Sequence, residues 1–167
     1  MPTQIEKILI LAKTYPSPSA TYVETSCVAG ITDTGDMRRL YPVPFRLLKD
    51  NQQFKKWQWI EVRTKKANKD HRPESHRVFV DTIACEHQLG TRNDWSERRY
   101  WLEQIPCVNS ISELDDARKN HGISMALLRP TYVDSLEIKK ARNSDWTEEE
   151  KTKLIKDQIQ GNLFSEQ

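Results

Sequence analysis

Trp57-Gln58-Trp59-Ile60-Glu61-Val62-Arg63-Thr64-Lys65-Lys66 places large rings and cations at alternating positions. With the two-residue period of a strand, Ile60, Val62 and Thr64 share one face, which suits a core. Trp57, Trp59, Glu61, Arg63 and Lys65 share the other. Aromatic faces stack bases and cations track phosphates, so this second face has the chemistry of a single-stranded nucleic-acid surface. The alternative is that Trp57 and Trp59 pack under a loop or helix and the Lys residues are a solvated strand end. Tyr41 offers a third stacking face. Arg38, Arg39, Arg63, Lys65, Lys66, Lys69 and Arg72 are the candidate phosphate contacts.

Charge supports that grouping. The net charge of the 167-residue chain is only +2. Residues 38–77 nevertheless hold 12 Lys and Arg against 4 Asp and Glu, a local net of +8. An electrostatic footprint in mid-chain follows, unless those cations pair with the acidic C-terminal third.

Other chemistry finds less support. There is no P-loop, G-x-S-x-G, H-E-x-x-H or EF-hand pattern, and five glycines in all. Glu24, Asp33, Asp36, Glu61, Asp81 and Glu86 are acids that a metal-dependent nuclease would need to bring together. The spacing Glu61-Val62-Arg63 lacks the lysine of an E-x-K signature, and Arg does not release a proton. Cys27, Cys85 and Cys107 form no C-x-x-C pair. Cys85-Glu86-His87 is too short a cluster for a metal site by itself. No enzymatic activity, metal or cofactor is therefore expected. Three unpaired cysteines and a start without a signal-peptide pattern predict a reducing, cytoplasmic setting. No apolar run approaches the roughly 20 residues that span a bilayer, so no membrane partner is expected.

The elements that must position these residues are mostly strands. Ile5 to Ala12 is nearly continuous in apolar residues and predicts a strand buried on both sides. Thr25 to Ile31 predicts a second strand, with Ala29 and Gly30 allowing a close backbone approach or a bend. Met37 to Phe45 predicts a third, which Pro42 and Pro44 place at an edge or leaving the sheet. The Trp57 run is the fourth. After a polar loop from Ala67 to Ser75, Arg77 to Ile83 is the fifth. Asp94 with Glu97, Ser110 with Glu113 and Thr147 with Glu150 each match a capping box, predicting three short helices. Gly122 is a stop for the second and Gly161 for the third, whose apolar face is Leu154, Ile155 and Ile159. Ser124 to Leu128 and Tyr132 to Ile138 are further expected strands. The fold class is mainly β with added helices (α+β), a small β-barrel with helical C-terminal additions. Its boundaries are 1–138 for the barrel with inserted helices and 139–167 for a C-terminal helix and tail.

A strand ending in Leu11-Ala12 and followed by Cys27-Val28-Ala29-Gly30-Ile31 resembles the start of the bacterial dual OB-containing domain family. Gly35-Asp36-Met37-Arg38-Arg39-Leu40-Tyr41-Pro42-Val43-Pro44-Phe45-Arg46 is similar to that family's turn-and-strand element, as is Phe54 to Glu61. The similarity is clearest over residues 7–85 and weaker onward to about Leu136. The resemblance implies OB-like barrels, nucleic-acid binding and a setting beside genes for phage or mobile-element defence. It implies no catalytic motif. The chain is short for two barrels, so the second is either reduced here or supplied by a separate chain, and the expected partner protein supplies a second barrel or an enzymatic activity. Met37 stands where the family often carries Trp.

The expected function is binding of single-stranded DNA or RNA. Two rivals remain open. One is a non-catalytic assembly subunit that docks a partner protein through its Trp-rich face and C-terminal helix. The other is a nucleotide or modified-base sensor that pockets one base between Trp residues.

Overall fold

The computed structural model describes residues 2–19, 23–140, 146–152 and 156. Seven strands make the main sheet: β1 (Thr3–Lys13), β2 (Ser17–Ser19), β3 (Val23–Thr32), β4 (Met37–Val43), β5 (Gln58–Lys66), β6 (Ser75–Val78) and β7 (Ala84–Gln88). Then come α1 (Arg92–Glu103), β8 (Cys107–Val108), α2 (Ile111–His121) and β9 (Leu127–Leu128). A last helical turn includes residues 148–152.

Five strands close on themselves in the order β1-β3-β4-β6-β5 and back to β1. All contacts around that ring are antiparallel except β4 with β6, which is parallel. β7 adds to β5 beside β6, and β2 adds to β3. This is a small OB-like barrel with helical additions, as the strand pattern predicts.

Two-residue alternation sorts the side chains. Ile8 and Ile10 of β1, Val28 of β3, Leu40 and Val43 of β4 and Ile60 and Val62 of β5 fill the barrel interior. Leu48 and Phe54, which follow the 3-10 turns Phe45–Leu47 and Asp50–Gln52 between β4 and β5, help to complete it. Phe54 meets Phe45 edge-on at 5.1 Å. Leu9, Ile31 and Trp59 point the other way and form a second apolar cluster with Leu89 and Ile105, covered by Trp101 and Leu102 of α1. β1 is thus buried on both sides at its centre, as its composition predicts, while Ile5 near its start is exposed.

Close strand crossing needs a residue without a side chain at Gly30. A Cβ there would stand 2.5 Å from Ile8 Cγ2 and 2.7 Å from the Leu9 carbonyl oxygen. The neighbouring β1–β3 ladder carries an irregularity between Ile10 and Ala12.

Several expected elements differ. The predicted fifth strand, Arg77 to Ile83, is instead β6 ending at Val78, a 3-10 turn at Val80–Thr82, and a separate β7. The Thr82 hydroxyl donates to the Phe79 carbonyl at 2.6 Å and accepts from the Arg63 amide at 2.9 Å, which holds that turn against β5. Asp94 does not cap α1. Asn93, Asp94 and Trp95 take left-handed backbone angles, and Asp94 pairs with Arg99 at 2.8 Å instead. The Ser110 box does form, with the Glu113 amide donating to Ser110 Oγ at 3.1 Å, and left-handed Gly122 ends α2. The Thr147 box forms too, with the Thr147 amide donating to Glu150 Oε2 at 2.7 Å. Leu154, Ile155, Ile159 and Gly161 lie outside the described residues. Of the strand expected at Ser124 to Leu128 only β9 exists, and Tyr132 to Ile138 is irregular chain with no ladder partner among the described residues. Among the described residues no helix is long and apolar enough to cross a membrane.

Trp59 is the test of the outer cluster. Replacing it with Ala should cost about 3–5 kcal/mol, the range for a buried large ring, and lower the midpoint of chemical denaturation accordingly. A loss under 1 kcal/mol would mean that α1 does not seal this face.

Candidate functional site

β4, β6 and β5 lie side by side, and their outward positions build one surface. Leu40 and Val43 point inward on β4, leaving Arg39 and Tyr41 outward. Val62 and Thr64 point inward on β5, leaving Arg63 and Lys65 outward. On β6, buried His76 and Val78 flank exposed Arg77. The loop from 67 to 74 rises beside them. Together they line an open cleft of about 630 Å³ that includes Arg39, Tyr41, Lys65, Lys66, Lys69, Asp70, Arg72 and Arg77.

Asp70 ties this loop to the barrel. Arg72 donates to it from Nε at 2.9 Å and Nη2 at 2.6 Å, a bidentate pair. Arg39 Nη1 of β4 donates at 3.2 Å and Ser75 Oγ of β6 at 2.9 Å. Hydrogen bonding from Arg72 holds the Asp70 carboxyl well below the usual carboxylate range. Lys66 Nζ clips the loop from below, donating to the Arg72 and Ser75 carbonyls. Behind the loop, the buried Glu74 carboxylate accepts from the Ser124 amide at 2.9 Å and from its hydroxyl.

Lys65, Lys69 and Arg77 have no ion-pair partner among the described residues. Lys65 and Arg77 are direct cross-strand partners. Like charges in that position repel and disfavour the ladder. Tyr41 is 40% exposed, with the Arg39 guanidinium 5.2 Å from its ring centroid.

Of the ten residues singled out in the sequence, Arg39, Tyr41, Lys65, Lys66, Lys69 and Arg72 meet in this cleft. Arg63 lies two positions from Lys65 on the same face, with its guanidinium 4.6 Å from the Phe79 ring centroid. Arg38 does not join them. Neighbouring positions on a strand face opposite ways, and Arg38 donates to Glu6 from Nε and Nη2, each at 2.8 Å. The Trp expectation is corrected. Trp59 does face out of the barrel, but α1 covers it. The ring is 6% exposed and meets Trp101 edge-on at 4.8 Å, so it offers no face to a base. Trp57 is half-buried on the same cluster, 5.1 Å from the Arg98 guanidinium, at the far end of β5 from the cleft. Arg77 is the residue that sequence reasoning passed over. Its signal was the alternation of His76, Arg77 and Val78, which puts Arg77 outward once β6 pairs with β5.

The acids weighed for a metal do not converge. Glu24 holds Arg46 at 2.7 Å and Glu86 holds Lys7 at 2.9 Å. Among the described residues no three His, Cys, Asp or Glu are placed to hold an ion.

His76 sits beneath the cleft, 7% exposed. Its Nδ1 donates to the Glu74 carbonyl at 3.0 Å, which fixes the neutral tautomer. Burial lowers its pKa, and Arg38 and Lys66 push the same way against Glu6 and the Glu74 carbonyl. The unfolded chain then binds a proton that the folded chain resists. His76 therefore contributes stability above about pH 6.5 that is lost as pH falls from there toward its lowered value. Denaturation midpoints measured from pH 7.5 to 5 should fall, and His76→Gln should flatten that part of the curve. Equal slopes in the two proteins would exclude this role.

Comparison with known proteins brings in two families. A family model described as Domain of unknown function (DUF8758) matches residues 4–104, from β1 to the end of α1. A second, Domain of unknown function (DUF8757), matches residues 106–167. No curated protein and no solved structure matches the chain. The first match covers the closed barrel, the added β7 and the helix that seals its outer cluster, more than half of the chain, and the protein belongs to the DUF8758 family.

Proposed function

We propose that the protein binds single-stranded nucleic acid in the cleft over β4, β6 and β5. The observation that carries this is the opposition of Lys65 and Arg77, neither of which has an ion-pair partner among the described residues. A polyanion laid across the strands would remove that repulsion and release the counterions it now holds. Tyr41 supplies a stacking face beside them. OB-like barrels bind oligonucleotides on their second and third strands and on the loop between the fourth and fifth. In the closed ring those are β3, β4 and the loop from 67 to 74. The resemblance to dual OB-containing proteins points the same way, and a role in defence against phage or mobile elements rests on that resemblance. The cleft is open and carries six cations, more than a single nucleotide's phosphate needs, which ranks the sensor reading below a strand of several nucleotides.

Fluorescence anisotropy with labelled single-stranded DNA, single-stranded RNA and duplex, across a salt series, tests the proposal. Micromolar or tighter binding to a single strand is expected. Lys65→Ala with Arg77→Ala should weaken it and flatten the log–log salt slope by about 1.4, two phosphates at roughly 0.7 each. Tyr41→Ala should weaken binding by about 1–3 kcal/mol with the salt slope unchanged. Unaltered affinity in the double variant would remove this face from consideration.

A second reading, an assembly subunit, is favoured by a different observation. Among the described residues no apolar side chain beyond Ile105 is buried, and Tyr132, Val133, Leu136 and Ile138 are 69–86% exposed. A run of that kind marks a protein interface. Under this reading a stoichiometric, salt-insensitive complex with another protein should dissociate on Leu136→Asp with Ile138→Asp, while oligonucleotide binding is retained. A complex indifferent to both changes would count against it.

A further inference from the structure

We propose that Asp70 is a positioning residue that raises the affinity of the cleft for nucleic acid, although its charge has the sign of the ligand's. The inference rests on the assignment of the cleft as the nucleic-acid site.

Asp70 is the one acid among the described residues lining a cleft that holds six cations. Simple electrostatics makes it a defect, since a carboxylate there repels phosphate. Its contacts indicate the opposite. Oδ1 accepts from Arg72 Nε at 2.9 Å and from the Arg72 amide at 3.2 Å. Oδ2 accepts from Arg72 Nη2 at 2.6 Å, Ser75 Oγ at 2.9 Å and Arg39 Nη1 at 3.2 Å. Three segments meet on one carboxylate: β4 through Arg39, the loop through Arg72, and β6 through Ser75.

Each guanidinium has five N–H donors in a fixed plane. Asp70 engages one nitrogen of Arg39 and two of Arg72. Among the described residues nothing accepts from Arg39 Nε or Nη2 or from Arg72 Nη1. Asp70 therefore holds two otherwise mobile cations by one edge and leaves their other edges to a ligand. The rotamer entropy that long side chains lose on binding is already spent in the free protein. The lowered pKa of Asp70 agrees with this, because the carboxylate stays ionised and keeps both arginines in place through any ordinary pH.

The test is Asp70→Asn in the full chain. Anisotropy titrations would use a labelled 12-nucleotide oligothymidylate and oligouridylate over a salt series. The substitution adds one positive charge to the protein, so the two accounts differ in sign. Positioning predicts a Kd three- to ten-fold weaker and a shallower salt slope, with partial recovery in Asp70→Glu. Repulsion predicts tighter binding. Ser75→Ala removes one hydrogen bond to Asp70 without changing charge and should weaken binding in the same direction by a smaller factor. It also carries the test if Asp70→Asn does not fold, as judged by circular dichroism. Equal or tighter binding by a folded Asp70→Asn, or by Ser75→Ala in its place, would overturn the positioning role and leave the cleft assignment standing. Failure of the unaltered protein to bind either oligonucleotide would overturn the cleft assignment, and the positioning role with it.

Discussion

β5 is hydrogen-bonded along both edges, and the rest of the molecule is arranged around that constraint. One edge runs along β1 from Trp59 to Lys65. The other is shared, first with β7 at Gln58 to Glu61 and then with β6 at Thr64 to Lys66. The change of partner divides the strand's outer face in two. Its first half lies beside the chain that leads into α1, so Trp59 is sealed beneath that helix. Its second half lies between β1 and β6, and there Arg63 is exposed and Lys65 half-buried. One strand thus supplies a core residue and a cation face from the same side chain register.

That division explains which parts of the molecule were legible in the sequence. Alternation told inward from outward correctly at Ile60, Val62 and Thr64, and Gly30 between Ala29 and Ile31 signalled the close crossing with β1. Alternation did not tell outward from exposed. A ring that points away from the barrel still seeks apolar cover, and the cover for Trp59 comes from Trp101, 42 positions later. The grouping of Arg38 with Arg39 failed for a related reason. Composition counts cations, but neighbouring strand positions face opposite ways, and Glu6 lies 32 residues before Arg38. Lys69 and Arg72 were legible because a polar loop leaves little choice but the surface. Asp70 was not, since one acid among many bases gives no sign in sequence of whether it repels a ligand or organises its neighbours.

Charge in the basic segment therefore has two uses. Some cations are consumed by structure: Arg38 by Glu6, Arg46 by Glu24, Lys66 by the carbonyls of Arg72 and Ser75. Lys65, Lys69 and Arg77 have no ion-pair partner among the described residues, and these three lie together in the cleft. The local excess of +8 overstates the field at the cleft, while the sorting of paired from unpaired groups gives it a direction. The depth of Glu24, 2% exposed beneath the exposed Arg46, shows how fully the paired class belongs to the scaffold.

The parallel ladder between β4 and β6 joins only Arg39 with Ser75 and Leu40 with His76. Every other junction of the ring is longer. A closed barrel opens first where its lacing is shortest, and the carboxylate that bridges Arg39 and Ser75 is a stitch across that gap. Transient parting of this seam would let solvent reach the Arg39 amide, which donates to the Glu74 carbonyl at 2.8 Å, while the amides of β1 stay shielded. A ligand that bound across the same gap only in the closed form would act as a second row of stitches, and occupancy of the cleft would then raise the stability of the closed barrel.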